Sequence, residues 1–555
     1  MKYSVEFIGV HDKEIIQQLQ NSSTTYSLKN KKNSLNYQQL RRRAESDLDQ
    51  MKEICQYWGY FRPEIDFSIL RTTEPKVVFE ITLGPLYTIE SVEVIPQTII
   101  WDRTLLPQGA AAKTEAILQA EETILSSLKK SGFASAKLTK KEIFANNATQ
   151  KVTCNFYIET GPQFRFGPLT IEGSRKVKES YIRKHLLFKE GEPYDIEKIE
   201  KSINSLEKSS LFSQVFIKEG KGVEQNELPL TLVLKEGKLR SVGGGVNYTT
   251  SKGPGVGFSW EHRNFRRSGE LLSCNIETWQ KFQNAKLKWV QPYFGSLNQE
   301  CSWLFEFDRQ NTIGFFSRTF AASSTIDRHF NPQWNGSVGA KFESLKSISP
   351  SQHATYYLFK APLGIKWTNT EDILDPKEGM NLSIKFTPAY QFVLPTFSYF
   401  THTTTLSLYH SVFDNSLTGA CKIVVGNIFG ASRFFIPEPD LFFSGTENTL
   451  RGYRYLSVSP LDKEGRPIGG RSLFATSFEG RSRFDNGWGV VAFYDVGNVY
   501  SSNFFDFKQR LLHSVGLGAR YDTPFGPLRL DLAVPIKRRH IDPPFQIYFS
   551  IGQSF

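Results

Sequence analysis

The sequence predicts a two-part fold: tandem α+β modules of the pattern β-α-α-β-β, then a 16-stranded antiparallel transmembrane β-barrel. Three observations predict it. Two markers recur at a nearly constant period through the first part of the chain. At about residue 239 the apolar pattern changes from helical spacing to strict alternation. The composition is aromatic-rich, at 14% with 45 Phe and 22 Tyr, while the hydrophobic fraction is only 39%, which suits strands more than helices.

The 555 residues exceed one ordinary core, so several domains are expected. Tyr60, Phe133 and Phe212 each follow a helix-like run and lie 73 and 79 residues apart. Gly84, Gly161 and Gly237, in "VFEITLGP", "NFYIETGP" and "LVLKEGK", lie 77 and 76 apart. Two independent markers with one period make a repeat. Each unit opens with a short strand ("YTIESVEVI", "FGPLTIEG"), continues with two helical stretches ("YIRKHLLF" and "YDIEKIEKSINSLEKS" in the third) and closes with two alternating strands. A unit of this length can hold its own core, so tandem modules at 1–85, 86–163 and 164–238 are expected rather than a solenoid.

From 239 to 555 sixteen strands are expected, starting near 239, 253, 269, 284, 299, 315, 334, 353, 378, 397, 417, 469, 487, 511, 525 and 543; shifted boundaries would allow fourteen. An even count and room for the ~9–11 residues a strand needs to cross a bilayer fit a bacterial barrel. Near the end, Leu528, Leu530, Leu532, Val534 and Ile536 alternate with Arg529, Asp531, Ala533 and Pro535. A soluble sandwich also alternates, but a run as long as 397–413 is unusual in one.

Several function classes fall away. Five scattered cysteines without CxxC argue against a disulfide framework or zinc site. The +11 charge is dispersed, so a basic surface explains it better than a nucleic-acid footprint. "GPGVGF" (253–258) lacks the Lys-Ser/Thr of a phosphate loop, and neither HExxH nor GxSxG occurs. No catalytic residue, metal or cofactor is expected. The start, "MKYSVEFIGV", reads as a strand and lacks a signal peptide's apolar core, so an exported chain would need a leader upstream.

The longest connection, 431–468, is the sixth external loop if the modules lie on the inner side. It carries "TLRGYRYL", with Leu450, Arg451, Gly452 and Tyr453 in a row. A wide lumen could take the loop back inside. The arginine would then need anions, because an unpaired buried charge is costly. Glu479 and Asp495 are candidates, each alternating with residues expected to face lipid. The bland alternative is a solvated turn with a chance Arg-Gly pair.

These residues resemble the BamA/TamA superfamily of outer-membrane assembly proteins, whose periplasmic POTRA modules precede a 16-stranded barrel. Its R-G-[FY] motif is matched by Arg451, Gly452 and Tyr453, and its F-x-D-x-G motif by Phe493, Asp495 and Gly497. The closing run 514–536 and the last aromatic, Phe555, a barrel-assembly signal in the family, also match. The resemblance covers essentially the whole chain. It implies that Arg451 pairs with acidic residues of the wall. Three modules look most like TamA, the outer-membrane subunit of the translocation and assembly module; BamA usually has five and two-partner secretion transporters two. Three-module chloroplast relatives are a further option. Implied partners are the outer-membrane lipid bilayer, unfolded outer-membrane or autotransporter clients, and a TamB-type inner-membrane-anchored protein. No nucleic acid is implied.

The first barrel strand, "RSVGGGVNYTT", holds Gly243, Gly244 and Gly245, and the last holds Gly552. Glycine weakens a strand, so this seam is the expected lateral gate, where an open edge templates an incoming strand. Relief of crowding at a bend is the competing explanation. A dedicated two-partner secretion channel is the alternative function.

Overall fold

The computed structural model describes residues 3–29, 36–70, 74–220, 226–249, 253–350, 352–372, 374–412, 416–484, 487–523 and 528–551. Three three-stranded sheets come first. Strands Ser4–Ile8, Lys76–Thr82 and Glu64–Leu70 form one, Thr88–Ile95, Lys151–Glu159 and Lys137–Asn146 the second, and Arg165–Glu172, Glu227–Glu236 and Phe212–Glu219 the third, each in that spatial order. In each, the unit's last strand is central, parallel to the first.

Helix spacing explains the packing of the first module. In Tyr37–Tyr57, Leu40, Ala44, Asp47, Met51 and Cys55 are buried, a stripe at steps of three and four residues that lies on the sheet. Asn36 and Gln39 cap its start reciprocally. The buried Asp47 carboxylate accepts from the Ser23 hydroxyl at 2.7 Å and the Thr25 amide at 2.9 Å, so its burial is compensated.

The second module departs from the expected two helices. Where the first should lie there is only a three-residue 3-10 turn, Arg103–Leu105. Pro107 is the reason: it disfavours helical backbone at the residue before it, and Leu106 sits at φ −136°, ψ 78°. The remaining helix, Thr114–Lys130, buries Ile117, Ala120, Ile124 and Leu128.

The rest is an antiparallel barrel whose strands start within three residues of the expected positions. Seventeen separate strand segments count as sixteen crossings. His353–Lys360 and Leu363–Thr368 both pair with Trp334–Ile348 on one side and Gly379–Gln391 on the other. They are two halves of one strand, interrupted at Ala361-Pro362. Pro362 has no N–H for the ladder; its carbonyl instead accepts from Gly339 at 2.9 Å, and Ala361 donates to Pro388 at 3.0 Å.

The barrel is apolar outside and polar inside. Leu530, Leu532 and Val534 are exposed, while Arg529, Asp531 and Ala533 between them are buried. Phe305, Phe320 and Phe342 are exposed on neighbouring strands. A sandwich would reverse this arrangement, whereas a bilayer demands it. Among the described residues no helix is long and apolar enough to cross a membrane.

Candidate functional site

After strand Leu417–Gly430 the chain enters the long loop and rejoins the wall at Ser472–Arg483, three residues later than expected. Inside the loop, Ser444 and Val458 exchange backbone hydrogen bonds, and Thr446 pairs with Thr449. The stretch between them turns back on itself with Arg451 near its tip. Leu450, Tyr453 and Val458 are buried with Val424, Leu473, Ala475 and Val499 of the wall. Leu450 takes φ +51°, which costs a branched residue about 1–3 kcal/mol and is kept only where surroundings enforce it.

Arg451 is 1% exposed. Its Nε and Nη2 donate to both oxygens of Asp495 at 2.8 and 2.7 Å, and its backbone amide adds a third bond at 3.0 Å. Nη1 donates to Glu479 at 2.5 Å and to Asp531 at 3.5 Å. The guanidinium lies 3.5 Å above the Phe493 ring, a cation–π contact strengthened by exclusion of water. Burial alone would lower its pKa, but Asp495, Glu479 and Asp531 more than offset this and hold the charge on. The carboxylates are engaged elsewhere too. Arg481 donates to Glu479 at 2.9 Å, and Arg520 and Arg529 donate to Asp531 at 2.5 and 2.6 Å. Every carboxylate here accepts guanidinium N–H bonds, so the cluster offers no free base; it fastens.

The next two residues extend the fastening. Gly452 donates its amide to the Tyr548 hydroxyl at 3.0 Å. The Tyr453 hydroxyl donates to the His513 carbonyl at 2.9 Å and accepts from the His513 amide at 3.1 Å. Three consecutive loop residues thus grip all five C-terminal strands: Ser472–Arg483, Trp488–Tyr500, Leu512–Tyr521, Leu528–Pro535 and Gln546–Ile551.

Two glycines permit the approach. Gly452 has φ +89°, and a Cβ there would stand 3.2 Å from the Val534 backbone. A Cβ on Gly497 would lie 2.3 Å from the Phe474 carbonyl and 3.0 Å from Leu450. The F-x-D-x-G residues therefore divide the work: Phe493 underlies the guanidinium, Asp495 binds it, and Gly497 leaves room for the loop.

Asp531 and Tyr548 were not singled out from sequence. Both stand on polar faces of alternating strands, which is the available signal; what selects them among their neighbours is contact with a loop far away in the chain.

At the seam, Arg240–Thr249 makes ten registered pairs with Gly253–His262. Among the described residues it makes one with the last strand, Thr249 opposite Tyr548. Among the described residues crowding does not account for two of the three glycines: a Cβ would meet nothing closer than 3.8 Å at Gly244 and nothing within 4 Å at Gly245, although at Gly243 it would meet the Ser259 hydroxyl at 2.5 Å. Gly552 and Phe555 lie outside the described residues. Among the described residues no group of three His, Cys, Asp or Glu is placed to hold a metal ion.

Residues 264–555 match the Omp85 superfamily domain, and 164–237 match the POTRA model, the surface antigen variable number repeat. The outer membrane protein assembly factor BamA of Neorickettsia risticii (strain Illinois) is 21% identical over 549 residues, covering 93% of this chain and 73% of the relative. BamA of Nitratidesulfovibrio vulgaris is 23% identical over 444 residues, 74% of this chain; the match spans 54% of that relative's length. The crystal structure of BamA from Haemophilus ducreyi lacking POTRA domains 1–3 superposes with a TM-score of 0.71 at 18% identity, covering 83% of this chain and 99% of that one.

Proposed function

Because this chain belongs to the Omp85 superfamily, we propose that it is an assembly factor of the bacterial outer membrane whose seam between the first and last strands is a lateral gate for client strands. The family is non-enzymatic, so the work is templating. The observation that carries the gate reading is the seam among the described residues: one registered pair with the last strand, against ten on the other edge of the same strand.

A strand edge in lipid must keep its N–H and C=O groups paired, at several kcal/mol for each that is not. Among the described residues one registered pair joins the two edges, so little of that stretch of ladder is lost when the seam parts. The exposed edge then takes a client's strand by β-augmentation. Each new bond replaces one lost, so the exchange proceeds without orphaned groups. The glycines at 244 and 245 favour parting, since they add backbone entropy and no packing. The last strand is held to the loop through Tyr548, so the first strand is the one free to move.

In its finer form the reading is TamA-like. The POTRA modules lie in the periplasm and receive unfolded outer-membrane or autotransporter clients, or a TamB-type inner-membrane-anchored partner. Support for this part is the family resemblance together with the modules' edge strands, such as Glu64–Leu70, which has one ladder neighbour.

The test is a lock on the seam. With the five native cysteines replaced, Tyr248→Cys and Phe549→Cys continue the antiparallel register one step from the Thr249–Tyr548 pair. Oxidation is expected to stop maturation of several clients and reduction to restore it. Normal client maturation behind a locked seam would remove the gate and favour a dedicated secretion channel.

A further inference from the structure

The long loop touches the wall at a second place. Before the arginine motif it forms a 3-10 turn, Glu438–Asp440, which rests on strands Trp334–Ile348, His353–Lys360 and Phe397–Val412. The Ser347 hydroxyl donates to Glu438 at 2.7 Å. Lys360 donates to Asp440 at 2.7 Å and to Glu343 at 3.1 Å. The Tyr399 hydroxyl also donates to Asp440. Glu438, Glu343, Lys360, Tyr399 and Ser347 are all under 10% exposed. Ile436 and Leu441 flank the turn and are buried with Leu345, Tyr356, Leu358 and Ile428.

We propose that this turn is a second lock, of reversed polarity, that makes the loop a strut across the barrel. At the tip the loop supplies the cation and the wall the carboxylates. At the stem the loop supplies the carboxylates and the wall the cation. The two locks sit on different strand sets, the seventh, eighth and tenth crossings against the twelfth to sixteenth. A loop held at both fixes one half of the wall relative to the other, and this holds whether or not the seam opens. Asp440 and Lys360 are therefore positioning residues. Their pairing does not follow from the Arg451 cluster, because the partners are different: Asp440 accepts from Lys360, which also donates to Glu343, whereas Arg451 donates to Asp495, Glu479 and Asp531.

The experiment is limited proteolysis of the full chain in liposomes, comparing cleavage after Arg433 in the stem with cleavage after Arg454 at the tip. Proteolysis follows the population of the open form when opening is fast. Asp440→Ala strands the buried Lys360 between fewer acceptors, so stem cleavage is expected to rise at least about tenfold while tip cleavage stays within about twofold. Arg451→Ala is expected to do the reverse. If Asp440→Ala fails to fold, judged by loss of its heat-modifiable band, Ser347→Ala and Lys360→Met serve in its place with the same expected split. Unchanged stem cleavage in all of these variants, or stem and tip rising together in each, overturns the second lock.

Discussion

Two stretches of the same wall are held in different ways. Between Ser472 and Ile551, five strands carry their ladder bonds and are gripped again from inside by Arg451, Gly452 and Tyr453. At Arg240–Thr249 the ladder to the next strand is complete, the bond to the last strand is one registered pair among the described residues, and two of three glycines fill space that a side chain could occupy. A further difference is reinforcement from the lumen, which among the described contacts of Arg451, Gly452 and Tyr453 reaches as far as Tyr548 on the last strand. A closed cylinder of equal bonds has no preferred place to part; the proposed gate would open beside the brace.

The sharpest way to break the contrast is to remove the brace. Asp495→Ala takes away three of the bonds to a buried arginine, and breaking a buried pair on one side costs about 3–5 kcal/mol. The expected outcome is a lower unfolding midpoint in detergent and a loop that trypsin cuts, with assembly activity falling alongside. A variant that kept wild-type protease resistance would detach the loop's anchorage from this carboxylate.

Tyr548→Phe is subtler. It leaves the Gly452 amide buried without its acceptor, a loss of about 1–3 kcal/mol. Amide exchange in Gln546–Ile551 should quicken while exchange in Gly253–His262 is unaltered. Equal quickening in both strands would mean that the hydroxyl steadies the whole barrel rather than the last strand.

The smallest effect has the opposite sign. Gly245→Val places a strand-favouring side chain in open space and should firm the first strand by about 1 kcal/mol or less. Slower exchange in Arg240–Thr249 and slower client maturation are expected together. Faster maturation from a firmer strand would contradict the idea that its weakness is useful.

Much of this was legible in the sequence because barrels are written in local terms. Alternation located the crossings, and the faces of Glu479 and Asp495 followed from the exposure expected of Phe478 and Tyr494. Interruptions were harder. Pro362 splits a ladder without ending the crossing, since the neighbours on both sides continue past it. Pro107 cancels a helix through the backbone of Leu106, an effect weaker than the repeat period that suggested the helix. The second lock was not anticipated at all. "PEPD" reads locally as a solvated turn, and only the fold brings Lys360 and Tyr399 to meet it. Pairings over such sequence distances leave no periodicity.

The loop's course also bears on leakage. Ile436 and Leu441 lie against one part of the wall and Leu450, Tyr453 and Val458 against another, all nearly free of solvent. The loop is pinned to the inner wall at both places, and a single-channel conductance higher in Arg451→Ala or Asp440→Ala than in the parent chain is the expected sign that it narrows the bore. Under the proposed gate, strand exchange would take place at the wall, away from the segment that the loop pins inside the barrel.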